Sequence, residues 1–238
     1  MLGMGLSSAW AGFDHSLYDA ILKTHVKGGL VDYKALKEDE RLGRYLEQLN
    51  EADLKDLESR EARVAFWTNA YNAYTLKLII DYYPVSSIMD IKRAGYKDAW
   101  KFPLAHIAGQ SYTLDQVENE ILRPRWPDHR IHYALVCAAQ SCPQLRSEAY
   151  TAERLDEQFD EQADWFMIHR NQFDLKKRTA HLSKVYEWYA VDFGDSVTDA
   201  LQSLIPHVDE ELAKSLKKDA KKWKVQFVEW DWRLNEQE

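Results

Sequence analysis

The chain has 238 residues, 45% apolar and 29% charged, which suits one large or two small globular domains. Nine Trp, thirteen Tyr and eight Phe exclude a disordered chain, and nine Gly with six Pro argue for long elements over a many-turned sandwich or propeller. A net charge of −8, from 31 basic and 39 acidic residues, repels polyanions, so neither nucleic acid nor anionic lipid is an expected partner. No apolar run approaches the roughly 18 residues of a membrane span.

Residues 1–11, MLGMGLSSAWA, have the shape of a late signal-peptide apolar region ending in a small-x-small site, Ala9-Trp10-Ala11. The segment reads as a signal-peptide remnant or a plain tail, followed by a single globular domain over 12–238. Cleavage near Gly12 would make the protein periplasmic or secreted, where cysteines can be oxidised.

Leu17, Ile21 and Leu22 give helical spacing over 15–26, which Gly28-Gly29 ends, and Leu30 to Tyr33 is a short strand candidate. Leu42, Leu46 and Leu49 mark a second helix. Ser59 caps a third, running to about Tyr82 before Pro84. Thr113 and Gln116 make a capping box for a short helix that Pro124 closes. Ile131 to Ala138 is apolar on both faces and reads as a buried central strand. Helices are expected from Thr151 to about His169 and from Ser183 to near Gly194, and Val225 to Leu234 reads as a final strand. Lys214 to Lys224 is a solvated helix face. With no βαβ repeat, the order favours α+β: a single compact domain with a central buried helix on a small mixed or antiparallel sheet.

Three places set polar groups in apolar company. In AFWTNAYNAYTLK, Asn69 and Asn72 share a stripe with Ala65, Ala73 and Leu76; they either bridge backbone segments or hold a substrate. In TLDQVENEILR, Glu118 sits among Leu114, Ile121 and Leu122, while Glu120 points away. A carboxylate so placed pairs with an arginine such as Arg125 or orients an imidazole. In RIHYALVCAAQSCPQL, His132, Cys137 and Cys142 bring a base and both thiols into one segment. Pro143 suits the first position of a helical turn, leaving Cys142 at a cap where backbone N–H groups favour a thiolate. A Cys137–Cys142 disulfide is the competing reading. A metal site of His129, His132, Cys137 and Cys142 lacks the tight spacing of zinc ligands, so neither metal nor cofactor is expected. A fully extended 132–138 puts His132 roughly 20 Å from the strand end, and four residues return at most about 13 Å, so His15, His106 and His181 remain alternative partners for the thiol.

The segments AFWTNAYNAYTL, SYTLDQVENEILR, RIHYALVCAAQSCPQL, HLSKVYEWYAVDFG and VEWDWRLN resemble successive blocks of the domain-of-unknown-function family numbered 547. FDHSLYDAILKTHVKGGLVDYKAL resembles its N-terminal block, so the likeness runs from Phe13 to Asn235. The resemblance implies an α+β domain, often exported in bacteria, with Asn69, Asn72, Glu118, His132, Cys137 and Cys142 as motif positions. Asn119 stands where the family pattern is expected to show His, which shifts weight to His132. A papain-like or transglutaminase-like fold is an analogy only.

The leading expectation is a cysteine-dependent acyl-transfer enzyme, hydrolase or transferase, acting on a peptide or small thiol-peptide. Cys142 attacks, His132 is the acid/base, Glu118 orients the ring, and Asn69 and Asn72 bind substrate. The alternatives are a small-ligand or glutathione-binding domain with a reactive thiol, and an interaction domain without chemistry.

Overall fold

A computed structural model describes residues 12–238; the expected cleavage site lies outside the described residues. Helix α1 (Ser16–His25) buries Tyr18, Ile21 and Leu22 and leads into a hairpin of β1 (Val26–Lys27) and β2 (Leu30–Val31). Its two turn residues, Gly28 and Gly29, have φ of 58° and 82°, as a tight two-residue hairpin turn requires. A Cβ on Gly29 would also meet the Gln144 Cβ at 2.6 Å. The strand stops at Val31, short of Tyr33, because Asp32 accepts from the Ala35 N–H and caps α2 (Tyr33–Lys37). Asp39 likewise caps α3 (Glu40–Glu51), which buries Leu42, Tyr45, Leu46 and Leu49.

Ser59 accepts from the Ala62 N–H and opens α4 (Arg60–Tyr82), in which every residue from Val64 to Leu76 is buried. α4 packs against α2, α3 and a second hairpin, β3 (Ala105–Ile107) and β4 (Gln110–Tyr112). The Thr113–Gln116 capping box forms as expected and starts α5 (Leu114–Gln116). The chain continues through a π-helical stretch, Val117–Leu122, into α6 (Arg123–Arg125), one residue beyond Pro124.

The short helix α7 (Ile131–Ala134) and the long α8 (Leu155–Arg170) follow, then β5 (Gln172–Asp174) and β6 (Thr179–Leu182). Next come α9 (Val185–Trp188), α10 (Val197–Ser203), α11 (Glu210–Asp219) and β7 (Lys224–Phe227). β5 pairs antiparallel with β6, and β6 parallel with β7, so this compact α+β domain holds two antiparallel hairpins and one small mixed sheet. Its apolar interior falls into two clusters, one around α4 and one formed by α8 to α11 with β6. α7 is the seam: Ile131 and Ala134 belong to the first cluster, Tyr133 to the second.

Three sequence expectations need correction. The run Ile131 to Ala138 is not a strand. It makes one helical turn and then extends without a ladder, because side-chain amides satisfy its backbone. Gln162 donates to the Tyr133 carbonyl at 2.9 Å, and Asn72 holds Ala134 and Val136. A short run apolar all round has no periodicity to distinguish these conformations. The helix expected from Thr151 begins at Leu155, while the Thr151 N–H donates to the Gln158 side chain. The final strand ends at Phe227, and beyond it the chain clasps the cysteine loop. There Leu234 bridges Ala139, the Gln140 N–H donates to the Arg233 carbonyl, and the Asp231 N–H donates to the Ser141 hydroxyl.

Candidate functional site

The seam between the two clusters opens into a cavity of about 300 Å³. Its wall includes Glu118, His132, Cys137 and Cys142, so four of the residues singled out in the sequence meet in one place. α7 achieves this: its helical turn shortens the path from His132 to the cysteine loop that an extended strand would have stretched. Among His15, His106, His132 and His181, only His132 lines the cavity.

The His132 ring is almost wholly buried, and its Nε2 lies 2.6 Å from the Asp192 Oδ2. Arg123 Nε donates to that same oxygen at 2.5 Å, and the ring stacks on Tyr189 with centroids 4.0 Å apart. Burial by itself raises the Asp192 carboxyl, but bonds from His132 and Arg123 and the charge on Arg123 outweigh it, holding the carboxyl well below its usual range. An ionised Asp192 accepts, so Nε2 carries the proton and Nδ1 is the basic nitrogen. The carboxylate bonded to the His132 ring is therefore Asp192, from the segment after α9. Glu118 is buried where the helical wheel put it, and it accepts from the Tyr71 hydroxyl at 3.2 Å, with no role for Arg125. Burial and the nearby Glu118 charge push the Tyr71 and Tyr189 phenols well above their ordinary range, keeping both protonated.

Cys137 and Cys142 are joined in a disulfide with Cα atoms 6.0 Å apart, so Cys142 is not a free thiol here. The expected helical turn after Pro143 is also absent. Residues 143–146 form no regular element, and the Arg170 guanidinium donates to the Cys142 carbonyl at 3.0 Å. The Cys142 Sγ receives one backbone donor, the Cys137 N–H at 2.8 Å. Cys142 is 2% exposed, whereas Cys137 is half-buried.

Asn69 and Asn72 do not line the cavity. Asn69 donates to the Tyr150 carbonyl at 2.8 Å and accepts from its N–H at 3.0 Å. Asn72 does the same for the Ala134 carbonyl and Val136 N–H, at 2.9 and 3.0 Å. Both amides bridge backbone segments, the first of the two roles open to them. Asn72 thereby fixes the segment between His132 and Cys137.

The remaining wall is aromatic, and the sequence reading missed it. Trp188 lies 4.7 Å from Trp230 and 5.9 Å from Trp232, and Trp100 meets Trp232 edge-on at 6.0 Å. Trp230 and Trp232 are delivered by the same C-terminal clasp that grips the cysteine loop. The available signal was the tryptophan-rich VEWDWRLN. Asp192 had a signal too, since YAVDFG puts a lone carboxylate among aromatic residues. Asn119, in the position where His was expected, accepts from Arg123 at 2.5 Å and so steadies the arginine that holds Asp192.

Residues 54–167 match the family described as Protein of unknown function, DUF547. This DUF547 segment contains Asn69, Asn72, Glu118, His132, Cys137 and Cys142, all the motif positions carried by the resemblance. Asp192 and the clasp with Trp230 and Trp232 lie outside it. No curated protein and no solved structure matches the chain. Among the described residues no group of three or more His, Cys, Asp or Glu is placed to hold a metal ion, and no helix is long and apolar enough to cross a membrane.

Proposed function

We propose that this domain binds a small thiol or thiol-bearing peptide in the seam cavity and exchanges it onto the Cys137–Cys142 disulfide. The observation that carries this reading is the disulfide in the same cavity wall as His132, the ring that Asp192 holds. His132 Nδ1 takes the proton of the incoming thiol, and the resulting thiolate attacks the more accessible Cys137 Sγ. A new S–S bond forms to Cys137, the old one breaks, and Cys142 leaves as a thiolate whose Sγ already receives the Cys137 N–H. A second thiol attacking the mixed disulfide releases the ligand as its own disulfide and leaves both cysteines reduced. A periplasmic or secreted location, where such a bridge persists, belongs to the same proposal.

The test is to treat the folded, oxidised protein with cysteamine or 2-mercaptoethanol and map adducts by peptide mass. The expected result is a mixed disulfide on Cys137 of the bridged protein. A Cys142→Ser variant, which has no bridge to exchange, should take up the same adduct from cystamine, the disulfide of cysteamine, and hold it because no second cysteine can expel it. A bridge that opens only after denaturation overturns the proposal.

A second reading has one observation in its favour: the carboxylate-held imidazole suits acyl transfer once the bridge is reduced. Cys142 Sγ would then bond to the acyl carbon as the amide C–N bond breaks, and the amine would leave with a proton from His132. Water would hydrolyse the thioester. Amide turnover by the reduced protein that survives Cys142→Ala removes this reading.

A further inference from the structure

The cavity's lining narrows the chemistry of the ligand, and this step rests on the binding reading above. Its carboxylate-bearing lining residues are Asp98, Asp115 and Glu118, with no Lys or Arg in the lining. Lys101 Nζ stands 3.4 Å from Asp115, and Glu118 holds the Tyr71 hydroxyl, so Asp98 is the carboxylate least engaged. Asp98 occupies the cap position before the short turn Ala99–Lys101 but makes no capping bond, and its Oδ1 is buried with no hydrogen-bond partner. Trp230 Nε1, across the same cavity lining, is a second buried polar atom without a partner. A buried acceptor and a buried donor left unpaired each cost about 1–3 kcal/mol, so both of these cavity-lining residues carry polar capacity that the protein itself does not satisfy.

The aromatic wall specifies the sign of that ligand. Indole faces carry negative potential and attract cations, most strongly where water is excluded. Trp188, Trp230 and Trp232 pack with centroids 4.7 to 5.9 Å apart, making an aromatic corner beside carboxylates. The nearby cation, Arg123, is already committed: it donates to Asp192 and lies 5.0 Å over the Tyr189 ring. The overall charge of −8 draws cations towards the molecule.

We propose that the cavity recognises an ammonium group, quaternary or primary, seated against the Trp188–Trp230–Trp232 corner. Asp98 is its counter-ion. For the exchange reading this selects aminothiols and thiol peptides with a free α-ammonium group. Glutathione, whose two carboxylates outnumber its single ammonium, becomes a poor ligand.

The experiment titrates the intact oxidised protein with choline, n-butylamine and the neutral choline isostere 3,3-dimethylbutan-1-ol, following tryptophan fluorescence. At least one cation should quench saturably and bind about tenfold or more tightly than the neutral isostere, the difference one good cation–π site makes. Tighter binding of choline assigns a quaternary headgroup, and tighter binding of n-butylamine a primary amine. Asp98→Asn should weaken the cation several-fold and leave the isostere unchanged. Equal affinity for cation and isostere, or no saturable quenching by either cation, overturns the inference. Neither probe carries a thiol, so cation binding with no adduct on Cys137 defeats only the exchange reading. Adduct formation indifferent to ligand charge defeats only this one.

Discussion

Asn69 and Asn72 on α4 each exchange two hydrogen bonds with buried backbone, whereas Asp98 and Trp230 at the seam each keep a buried polar atom without a partner. All four residues sit among aromatic and aliphatic neighbours. In the α4 core, polarity is spent internally and serves to fix loops. In the seam it stays available, and the backbone clasp that carries Trp230 prevents the wall from collapsing to satisfy it. Buried polarity is therefore a weak guide to function until its partners are known.

Replacement of Asn69 or Asn72 by Ala is the largest test of that contrast. Each leaves one buried N–H and one buried C=O unmade, so a loss of about 2–5 kcal/mol is expected in urea unfolding. Asn72→Ala should also disturb ligand binding, because Asn72 fixes the segment joining His132 to Cys137, while the milder Asn69→Ala effect on binding tracks stability alone. Equal, small losses from these variants and from Asp98→Asn would erase the distinction between the regions.

Reduction of the Cys137–Cys142 bridge comes next. A link between residues five apart closes a short loop, which chain entropy values at about 2 kcal/mol. Thermal unfolding with and without a phosphine reductant reads this directly. The clasp grips the loop through its backbone and the Ser141 hydroxyl, bonds that reduction leaves in place, so choline binding should persist in the reduced protein. Loss of binding on reduction would show that the bridge, and not the clasp, shapes the cavity.

The two regions also differ in how acid reaches them. Burial lowers the His15 pKa from 6.5 to about 3, partly offset by Asp14, and its Nδ1 lies 2.7 Å from the Tyr45 hydroxyl. The folded value lies below the unfolded one, so this stability is fully present above pH 6.5 and is lost as pH falls from there towards 3. By pH 5 the loss from His15 is about 2 kcal/mol. Asp192 is also depressed, from 3.8, but for a carboxylate that contribution holds above pH 3.8 and fails only below it. Unfolding between pH 7 and 5 should thus slope mainly with His15, with a contribution of the same sign from His129, which burial also lowers, and be insensitive to the Asp192 carboxyl. His15→Phe should flatten the profile and Asp192→Asn should not.

The same contrast explains what could be read from the sequence. α4, α3, the Gly28-Gly29 turn and the Thr113–Gln116 box were legible because caps, periodicity and turn residues act within a few positions. Glu118 was placed correctly on its buried face for the same reason. The seam was not legible, since its parts converge from distant segments: Asp192 reaches His132 across 60 positions, and Asp231 reaches Ser141 across 90. The segment after His132 escaped for a different cause. Its backbone is satisfied by the side chains of Asn72 and Gln162, and hydrophobic patterning carries no trace of side-chain-to-backbone bonding.

The smallest expected effect is the most discriminating. Asp98→Asn removes a charge that has no partner on its buried oxygen, so the fold loses no bond it was making. The unfolding free energy should change by less than about 0.5 kcal/mol, or rise, as at a surface position. Added choline should separate the two proteins. At tenfold above its dissociation constant it should stabilise the parent by about 1.4 kcal/mol and the variant by measurably less. A structural role for Asp98 would reverse this pattern, lowering the stability of the variant without ligand and leaving the two proteins equally responsive to it.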